Sequence, residues 1–433
     1  MRLADRVLGM LRHRRAHVSY LRFLESAPWD DHDRMEALRA DLLRRLCLDA
    51  TRVPFHAARL RDAGIDPAAV GSIDDLAGLP VLRKADLLDA PRHELVRPGC
   101  GRTVTRGTSG TSAQSFLFEV EEMLDARTAA VRTFIYSAAG QRGGTVLETF
   151  HGDGIRRPRS NPRFRIVQMG YRNSDEVQLA TLRETAPDVI YGNRAALVRF
   201  ADLLERSGTA VTSVRHLLST AELVVPTDRA RLEAVFGARL HDLYGAAECP
   251  TVAFKLAGEQ AHRVVDPRVV LEVLVDGRPA QPGETGDVVV TALDSGCGPF
   301  LRYATGDVVT LADDSTPSGR AGMRLAAMQG RRLDVVRRPD GSPVFWPQLI
   351  DETLWSRADV AAAVGGYQFV QRSLDRLTVK LQPKAGAVPP ALVDEIRDRV
   401  GRALGDGVTI DVEHVDEIPH EPNGKFRAIR SEL

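Results

Sequence analysis

Apolar and polar positions follow two periods along this chain, and the order in which those periods appear predicts its elements. The helical period covers residues 34–48 and 54–63, and Leu3, Val7, Leu8, Leu11 and Val18 fit one stripe of an N-terminal helix packed on the body. A further helix is expected over residues 119–139, stopped by Gly140 in the position a C-terminal cap prefers. From there the pattern becomes regular. Strands are predicted at 145–150, 188–191, 214–218 and 240–244, and helices at 175–186, 194–206 and 228–236, with Asn193 and Thr227 capping the last two. Strands that alternate with helices imply a parallel sheet with right-handed crossovers.

In such sheets ligands collect beyond the carboxyl ends of the strands. Small or aromatic polar residues recur at those ends, in Tyr191-Gly-Asn193, Ser219-Thr-Ala-Glu222 and Tyr244-Gly-Ala-Ala-Glu248, and the recurrence points to a nucleotide cleft. Residues 269–275, 286–293 and 308–311 read as a β-rich stretch, with a hairpin turn at Asp276-Gly277. A boundary is expected at Gly330-Arg-Arg-Leu-Asp334, then strands at 376–381 and 408–415 around a helix at 390–404. The expected fold class is therefore α/β. Residues 1–330 form a large region with parallel and mixed sheets, helices and a β-rich subdomain, and residues 331–433 form a small α+β domain.

Composition narrows the function classes. The 433 residues balance 58 acidic against 58 basic side chains, so no global field draws the protein to nucleic acid or to a lipid surface. No run approaches the roughly 18 apolar residues of a membrane span. The arginine-rich N-terminus also lacks the apolar centre of a secretory signal. Cys47, Cys100, Cys249 and Cys297 lie far apart without a Cys-x-x-Cys pair, which suits free thiols in a reducing cytoplasm. Cys249, His262 and Cys297 have poor spacing for a zinc site.

The candidate chemistry centres on Thr105-Arg-Gly-Thr-Ser-Gly-Thr-Ser-Ala-Gln-Ser115. Glycines let successive N–H groups turn into one hollow, and small hydroxyls add donors that reach phosphate oxygens without filling it. Taken alone, the stretch reads equally as a phosphate cradle or as a flexible loop. It is not a Walker loop, because no Gly-Lys-Ser/Thr follows. A phosphate site here needs a cation from elsewhere.

Five motifs in order make the chain resemble the adenylate-forming ligases, in the phenylacetate–CoA ligase-like branch. They are the hydroxyl-rich loop, Tyr244-Gly-Ala-Ala-Glu248, Gly283-Glu-Thr-Gly286 running into Arg302-Tyr-Ala-Thr-Gly-Asp307, Gly330-Arg-Arg-Leu-Asp334, and Asn423-Gly-Lys425. The resemblance implies a mobile C-terminal lid, an active site between the domains, and activation of a small carboxylic acid by ATP with Mg²⁺. The acyl-adenylate would then pass to an acceptor, with CoA first, or an amine or a carrier-protein thiol as alternatives. A nucleotide-binding regulator or NTPase without ligase chemistry is the more distant reading.

The roles the resemblance implies go residue by residue. Thr108, Ser109, Gly110, Thr111 and Ser112 cradle phosphates; the family's next glycine, basic residue and proline are Ala113, Gln114 and Ser115 here, which removes a cation. Tyr244 and Gly245 face adenine, Ser219, Thr220 and Ala221 line adenosine, and Glu248 is the Mg²⁺-side carboxylate. Asp307 accepts both ribose hydroxyls, Arg331 reaches ribose or phosphate, and Lys425 bridges carboxylate and α-phosphate. Asp334 stands near the hinge, although Leu333 replaces the family's second aspartate. Arg302 reads as an ion-pair partner and His151 as a structural histidine. The residues do not specify the acid or an oligomeric state.

Overall fold

The computed structural model describes residues 3–107, 116–150, 152–158, 161–332, 334–349, 358–384, 386–419 and 427–433. The chain divides into two compact units. The first comprises Met1–Val224, Arg231–Thr305 and Thr310–Ala327, and the second comprises Val225–Ala230, Gly306–Val309 and Met328–Leu433.

The first unit opens with helices α1 (Leu3–Ser26), α2 (His32–Ala50), α3 (Pro54–Asp62) and α4 (Lys84–Asp89). A two-stranded hairpin of β1 (Thr103–Gly107) and β2 (Leu117–Glu121) precedes α5 (Leu124–Ala138). This corrects the expected start of helix at residue 119. Leu117-Phe-Glu-Val-Glu121 alternates with period two, burying Phe118 and Val120, and pairs antiparallel with β1 in the register Arg106↔Phe118 and Gly107↔Leu117. Glu119 therefore belongs to a strand. The apolar stripe foreseen for α1 also needs correction. The helix packs with α5 and buries His17, Leu21 and Leu24, while Leu8 and Leu11 are 51% and 56% exposed.

A separate, larger sheet begins with β3 (Gly144–Phe150), β4 (Ile155–Arg156), β5 (Phe164–Gly170), β6 (Val189–Asn193), β7 (His216–Thr220) and β8 (Arg239–Tyr244). They continue with β9 (Ala253–Lys255), β10 (His262–Val264), β11 (Val269–Val275), β12 (Arg278–Pro279), β13 (Thr285–Ala292), β14 (Tyr303–Leu311) and β15 (Arg324–Arg331). Their order is β12-β11-β13-β14-β15-β10-β9-β8-β7-β6-β3-β5-β4. The run β5-β3-β6-β7-β8 is parallel, as the alternating pattern requires, and β8 turns antiparallel into β9. The crossovers are α6 (Asp175–Thr185), α7 (Arg194–Ser207) and α8 (Pro226–Phe236). Asn193 caps α7 by accepting from the Ala196 amide at 3.2 Å, and Gly208 ends it in the left-handed region at φ 62°. The eighth helix starts at Pro226, which puts Thr227 inside its first turn. The inward faces bury Leu147, Val167, Ile190, Leu197, Phe200, Leu217 and Leu240 in one cluster.

Two of the four cysteines depart from the free-thiol expectation. Cys100 and Cys297 form a disulfide with Cα atoms 5.9 Å apart. The Arg97 amide donates to the Cys297 carbonyl at 2.8 Å, drawing together segments 197 residues apart, a proximity that sequence spacing does not reveal. Cys47 and Cys249 are buried free thiols, which burial pushes up to about 12. With Cys297 engaged, the zinc grouping fails, and no group of three or more metal-binding side chains comes together among the described residues. No described helix is long and apolar enough to cross a membrane.

The second unit carries the small hairpin β16 (Val335–Arg337) and β17 (Pro343–Phe345) and a four-stranded sheet. That sheet is ordered β20 (Thr409–His414), β19 (Arg376–Pro383), β18 (Val364–Ser373), β21 (Ile429–Ser431). The helix Pro390–Leu404 connects the parallel neighbours β19 and β20. Leu392, Ile396, Val400 and Leu404 recur every four residues on its buried face, against Phe369, Leu377, Val379 and Leu381. Each such side chain contributes about 1.5–3 kcal/mol by leaving water.

Candidate active site

Register brings the predicted strand-end clusters of the first unit to one edge. Glu148 of β3 is opposite Tyr191, Gly192 and Asn193 of β6 are opposite Ser219 and Thr220, and Ser219 and Thr220 of β7 are opposite Asp242 and Leu243. Tyr244 closes β8 one residue further on. Two features mark this edge as shaped for something other than packing. Ala221 holds φ at +65°, a left-handed conformation costly for a residue with a Cβ. The Ser219 hydroxyl is fully buried and has no hydrogen-bond partner among the described residues. Beside them Glu222 accepts from the Asn193 side-chain amide and the Ala195 backbone amide, both at 2.8 Å, and ties the strand end to the start of α7.

Behind Tyr244 the chain doubles back. A Cβ at Gly245 would lie 2.4 Å from the Thr251 nitrogen, so only glycine fits this approach. The turn carries Glu248, 8% exposed, whose Oε1 accepts from the Tyr303 hydroxyl at 2.6 Å. A buried carboxylate held this way is a hard oxygen ligand in a defined orientation, as Mg²⁺ coordination requires. Tyr303 is fixed by its neighbour. Arg302 takes φ +51° and donates to both Glu272 oxygens, at 3.0 and 2.8 Å, and to the carbonyls of Leu76, Ala77 and Leu79. Arg302 is thus the structural ion-pair partner the sequence suggested. The strand Tyr303–Leu311 is further docked by backbone bonds between Ala304, Leu82 and Arg302.

The second unit presents its own group of predicted residues. Arg331 Nε stands 3.6 Å from Asp307 Oδ1, and the Arg332 amide donates to the Gly306 carbonyl at 2.9 Å. The guanidinium of Arg331 is 37% exposed against 19% for Asp307, a geometry in which the arginine can exchange its carboxylate for another anion. Asp334 accepts from Arg427 at 2.9 and 2.8 Å, which fastens the predicted hinge residue to the chain just beyond Lys425. Thr108, Ser109, Gly110, Thr111 and Ser112, together with Ala113, Gln114, Ser115, His151, Leu333 and Lys425, lie outside the described residues.

A family model described as the CapK C-terminal domain matches residues 350–432. The whole chain is similar to the phenylacetate-coenzyme A ligase of Thermus thermophilus, at 25% identity over 451 residues, covering 94% of this chain and 98% of that protein. Two further phenylacetate-coenzyme A ligases, of Pseudomonas putida and Aromatoleum evansii, are 25% and 24% identical over 74% and 83% of this chain, so the similarity to ligases of this kind runs along most of its length. The same fold is seen in 2-hydroxyisobutyryl-CoA ligase in the postadenylation state with R3-HIB-AMP, with TM-score 0.74, 20% identity, and coverage of 94% of this chain and 90% of that one. Its open conformation with 2-HIB-AMP and CoA gives TM-score 0.63 at 20% identity, covering 92% and 91%.

Several residues around these strand ends escaped the sequence reading. Tyr303 lies inside a quoted motif, yet nothing in the motif says its hydroxyl meets Glu248. Arg132 of α5 pairs with Glu148 at 3.1 Å and lies over the Tyr191 ring at 5.2 Å, and Gln168 donates to Glu148 at 2.9 Å. The signal was available, because a glutamate within Thr-Val-Leu-Glu-Thr-Phe must find a partner if that strand is buried. Burial holds the Tyr191 hydroxyl above the usual tyrosine range, so it stays a neutral donor at the strand edge.

Proposed function

We propose that this protein is an AMP-forming acid–thiol ligase. A carboxylate oxygen attacks the α-phosphorus of ATP, the bond to pyrophosphate breaks, and the acyl-adenylate passes its acyl group to the thiol of CoA with release of AMP. The observation that carries the reading is the shared strand edge. Ser219 and Thr220 end β7 opposite Asp242 and Leu243 of β8, Tyr244 is the next residue of β8, and Glu248, held by the Tyr303 hydroxyl, lies in the turn that follows. In this reading Tyr244 and Gly245 take the adenine face, Ser219, Thr220 and Ala221 line the adenosine, and the orphaned Ser219 hydroxyl acquires a partner. Thr108, Ser109, Gly110, Thr111 and Ser112 hold the phosphates, Asp307 holds the ribose hydroxyls, and Arg331 takes a phosphate or ribose oxygen.

Mg²⁺ would be held by Glu248 and would neutralise charge on the leaving pyrophosphate. Lys425 would meet the carboxylate and the α-phosphate as negative charge concentrates there, and binding that strengthens in the transition state is the kind that speeds the reaction. Residues 331–433 act as the domain that delivers it. The acceptor is read as CoA because the relatives named above are CoA ligases and one is captured with its adenylate and CoA together. ATP as energy source fits a cytoplasmic setting.

The test is exchange of labelled pyrophosphate into ATP across a panel of carboxylic acids. Exchange that appears only with a suitable acid, followed by thioester formation with CoA, supports the reading. Phosphate release without any acid overturns it, and product with amines or a carrier protein but not CoA redirects the acceptor.

A further inference from the structure

We propose that the outer face of α1 docks this protein on an anionic phospholipid bilayer. The proposal is independent of the ligase reading, because no residue of α1 belongs to the site described above. Between Asp5 and Glu25 the chain carries five arginines and no acidic residue, a local excess that the balanced total of 58 and 58 conceals. The inner face of the helix is fixed. His17, Leu21 and Leu24 recur at i, i+4 and i+7 and are buried, and the helix packs with α5. It cannot roll without exposing them, so its outer face is fixed as well.

That face combines uncompensated charge with uncovered apolar surface. Leu8, Leu11, Arg15, Val18 and Arg22 follow at i, i+3, i+7, i+10 and i+14, which makes one stripe about 21 Å long. Leu8 and Leu11 are each more than half exposed. Arg12, Arg14, Arg15 and Arg22 are exposed too, and none has a hydrogen-bond or ion-pair partner among the described residues. Arg163, by contrast, pairs with Glu25 at the end of the same helix, at 2.6 Å. Leu11, Arg14, Arg15, Val18, Ser19 and Arg22 line an open hollow of about 530 Å³. Three arginines and two apolar side chains therefore share one concavity.

Charge and composition select the occupant. A guanidinium takes phosphate oxygens in its fork, while its methylene stem and a neighbouring leucine settle at the acyl boundary. A lipid surface offers phosphate and hydrocarbon side by side, which the interleaved arginines and leucines match. Nucleic acid offers the phosphates without the apolar layer. A second copy would set this basic face against itself under twofold symmetry, and like charges across an interface repel. The helix would lie on the membrane, since no described helix is long and apolar enough to cross one. Each arginine close to an anionic leaflet strengthens binding about fivefold, so Arg14, Arg15 and Arg22 together supply on the order of 100-fold.

The test is flotation of the full chain with vesicles of phosphatidylcholine alone, and of phosphatidylcholine and phosphatidylglycerol in equal parts. Wild type should float with the anionic vesicles, stay behind with the neutral ones, and be released as salt rises. Arg14→Gln, Arg15→Gln and Arg22→Gln combined should weaken binding on the order of 100-fold. Leu8→Ser with Leu11→Ser should weaken it roughly tenfold. The charge-matched control is Arg372→Gln, Arg376→Gln and Arg430→Gln, whose side chains are 61%, 63% and 59% exposed on the second unit, and it should bind like wild type. Both α1 variants should melt like wild type and leave pyrophosphate exchange unchanged, because the replaced side chains lie outside the core and the site. The proposal is overturned if wild type does not float with the anionic vesicles, if the triple α1 variant still does, or if the control loses as much. It is equally overturned if duplex DNA binds wild type as tightly as the anionic vesicles do, or if wild type is a dimer that the α1 substitutions make monomeric.

Discussion

Tyr303→Phe removes one oxygen from a buried site and leaves almost everything else in place. The ring keeps its edge contact with Phe300, whose centroid lies 5.2 Å away, so packing is conserved. What goes is the 2.6 Å bond to Glu248, between residues 2% and 8% exposed. A hydrogen bond to a charged acceptor is worth about 1.5–3 kcal/mol. That corresponds to roughly 10–100-fold in an equilibrium constant. Losing a group that orients a metal ligand costs a similar 10–100-fold or so in metal affinity.

The two routes agree, and the expected outcome is a shift of about 10–100-fold in the Mg²⁺ concentration that half-saturates acid-dependent pyrophosphate exchange. Glu248→Gln should abolish that dependence, and adding Tyr303→Phe to it should change little, because the tyrosine acts through the carboxylate. A Tyr303→Phe enzyme with a wild-type Mg²⁺ midpoint would refute the reasoning. So would an equal shift in the Glu248→Gln background.

Arg302→Met strands Glu272, whose carboxyl burial already pushes up, and strips three carbonyls of their donor. It should cost about 3–5 kcal/mol of stability by denaturant melting, and Arg302→Lys should not rescue it, since an ammonium lacks the fork; wild-type melting would contradict this. Burial, opposed by Arg39 and the Gly322 amide, raises the Asp266 carboxyl to about 6. The folded state thus holds this proton more tightly than the unfolded chain, and ionisation penalises folding increasingly as pH rises towards 6 and fully above it. Asp266→Asn should therefore raise the melting temperature relative to wild type at pH 8, by a margin that shrinks as pH falls towards 4; a pH-independent margin counts against it. Lys425→Ala should lose about 10²–10³ in adenylation rate while still transferring a supplied acyl-adenylate to CoA, and equal loss in both half-reactions would remove its assigned role.

What was legible in the sequence follows from how far apart the interacting groups lie. Pro390–Leu404 matches its predicted bounds because its signal is local, with Leu392, Ile396, Val400 and Leu404 on one face between Pro389 and Gly405. Residues 119–121 were read as helix because the strand character of Leu117–Glu121 depends on pairing with Thr103–Gly107. The Cys100–Cys297 pairing was invisible for the same reason at greater range. The site divides along the same line. Residue identity suggests chemistry, so Tyr244, Glu248 and the Ser219-Thr-Ala221 turn are proposed from type and position alone. Partnership depends on register, so Tyr303 on Glu248, Arg132 on Glu148 and Arg427 on Asp334 could not be named. Arg302 is the instructive intermediate. Its charge within an otherwise buried strand approach implied a partner, and only the fold supplied Glu272, 30 residues earlier, together with three carbonyls more than 220 residues away. A motif such as Arg302-Tyr-Ala-Thr-Gly-Asp307 therefore contains residues that hold other side chains in place, and these are recognised only when each side chain's partner is known.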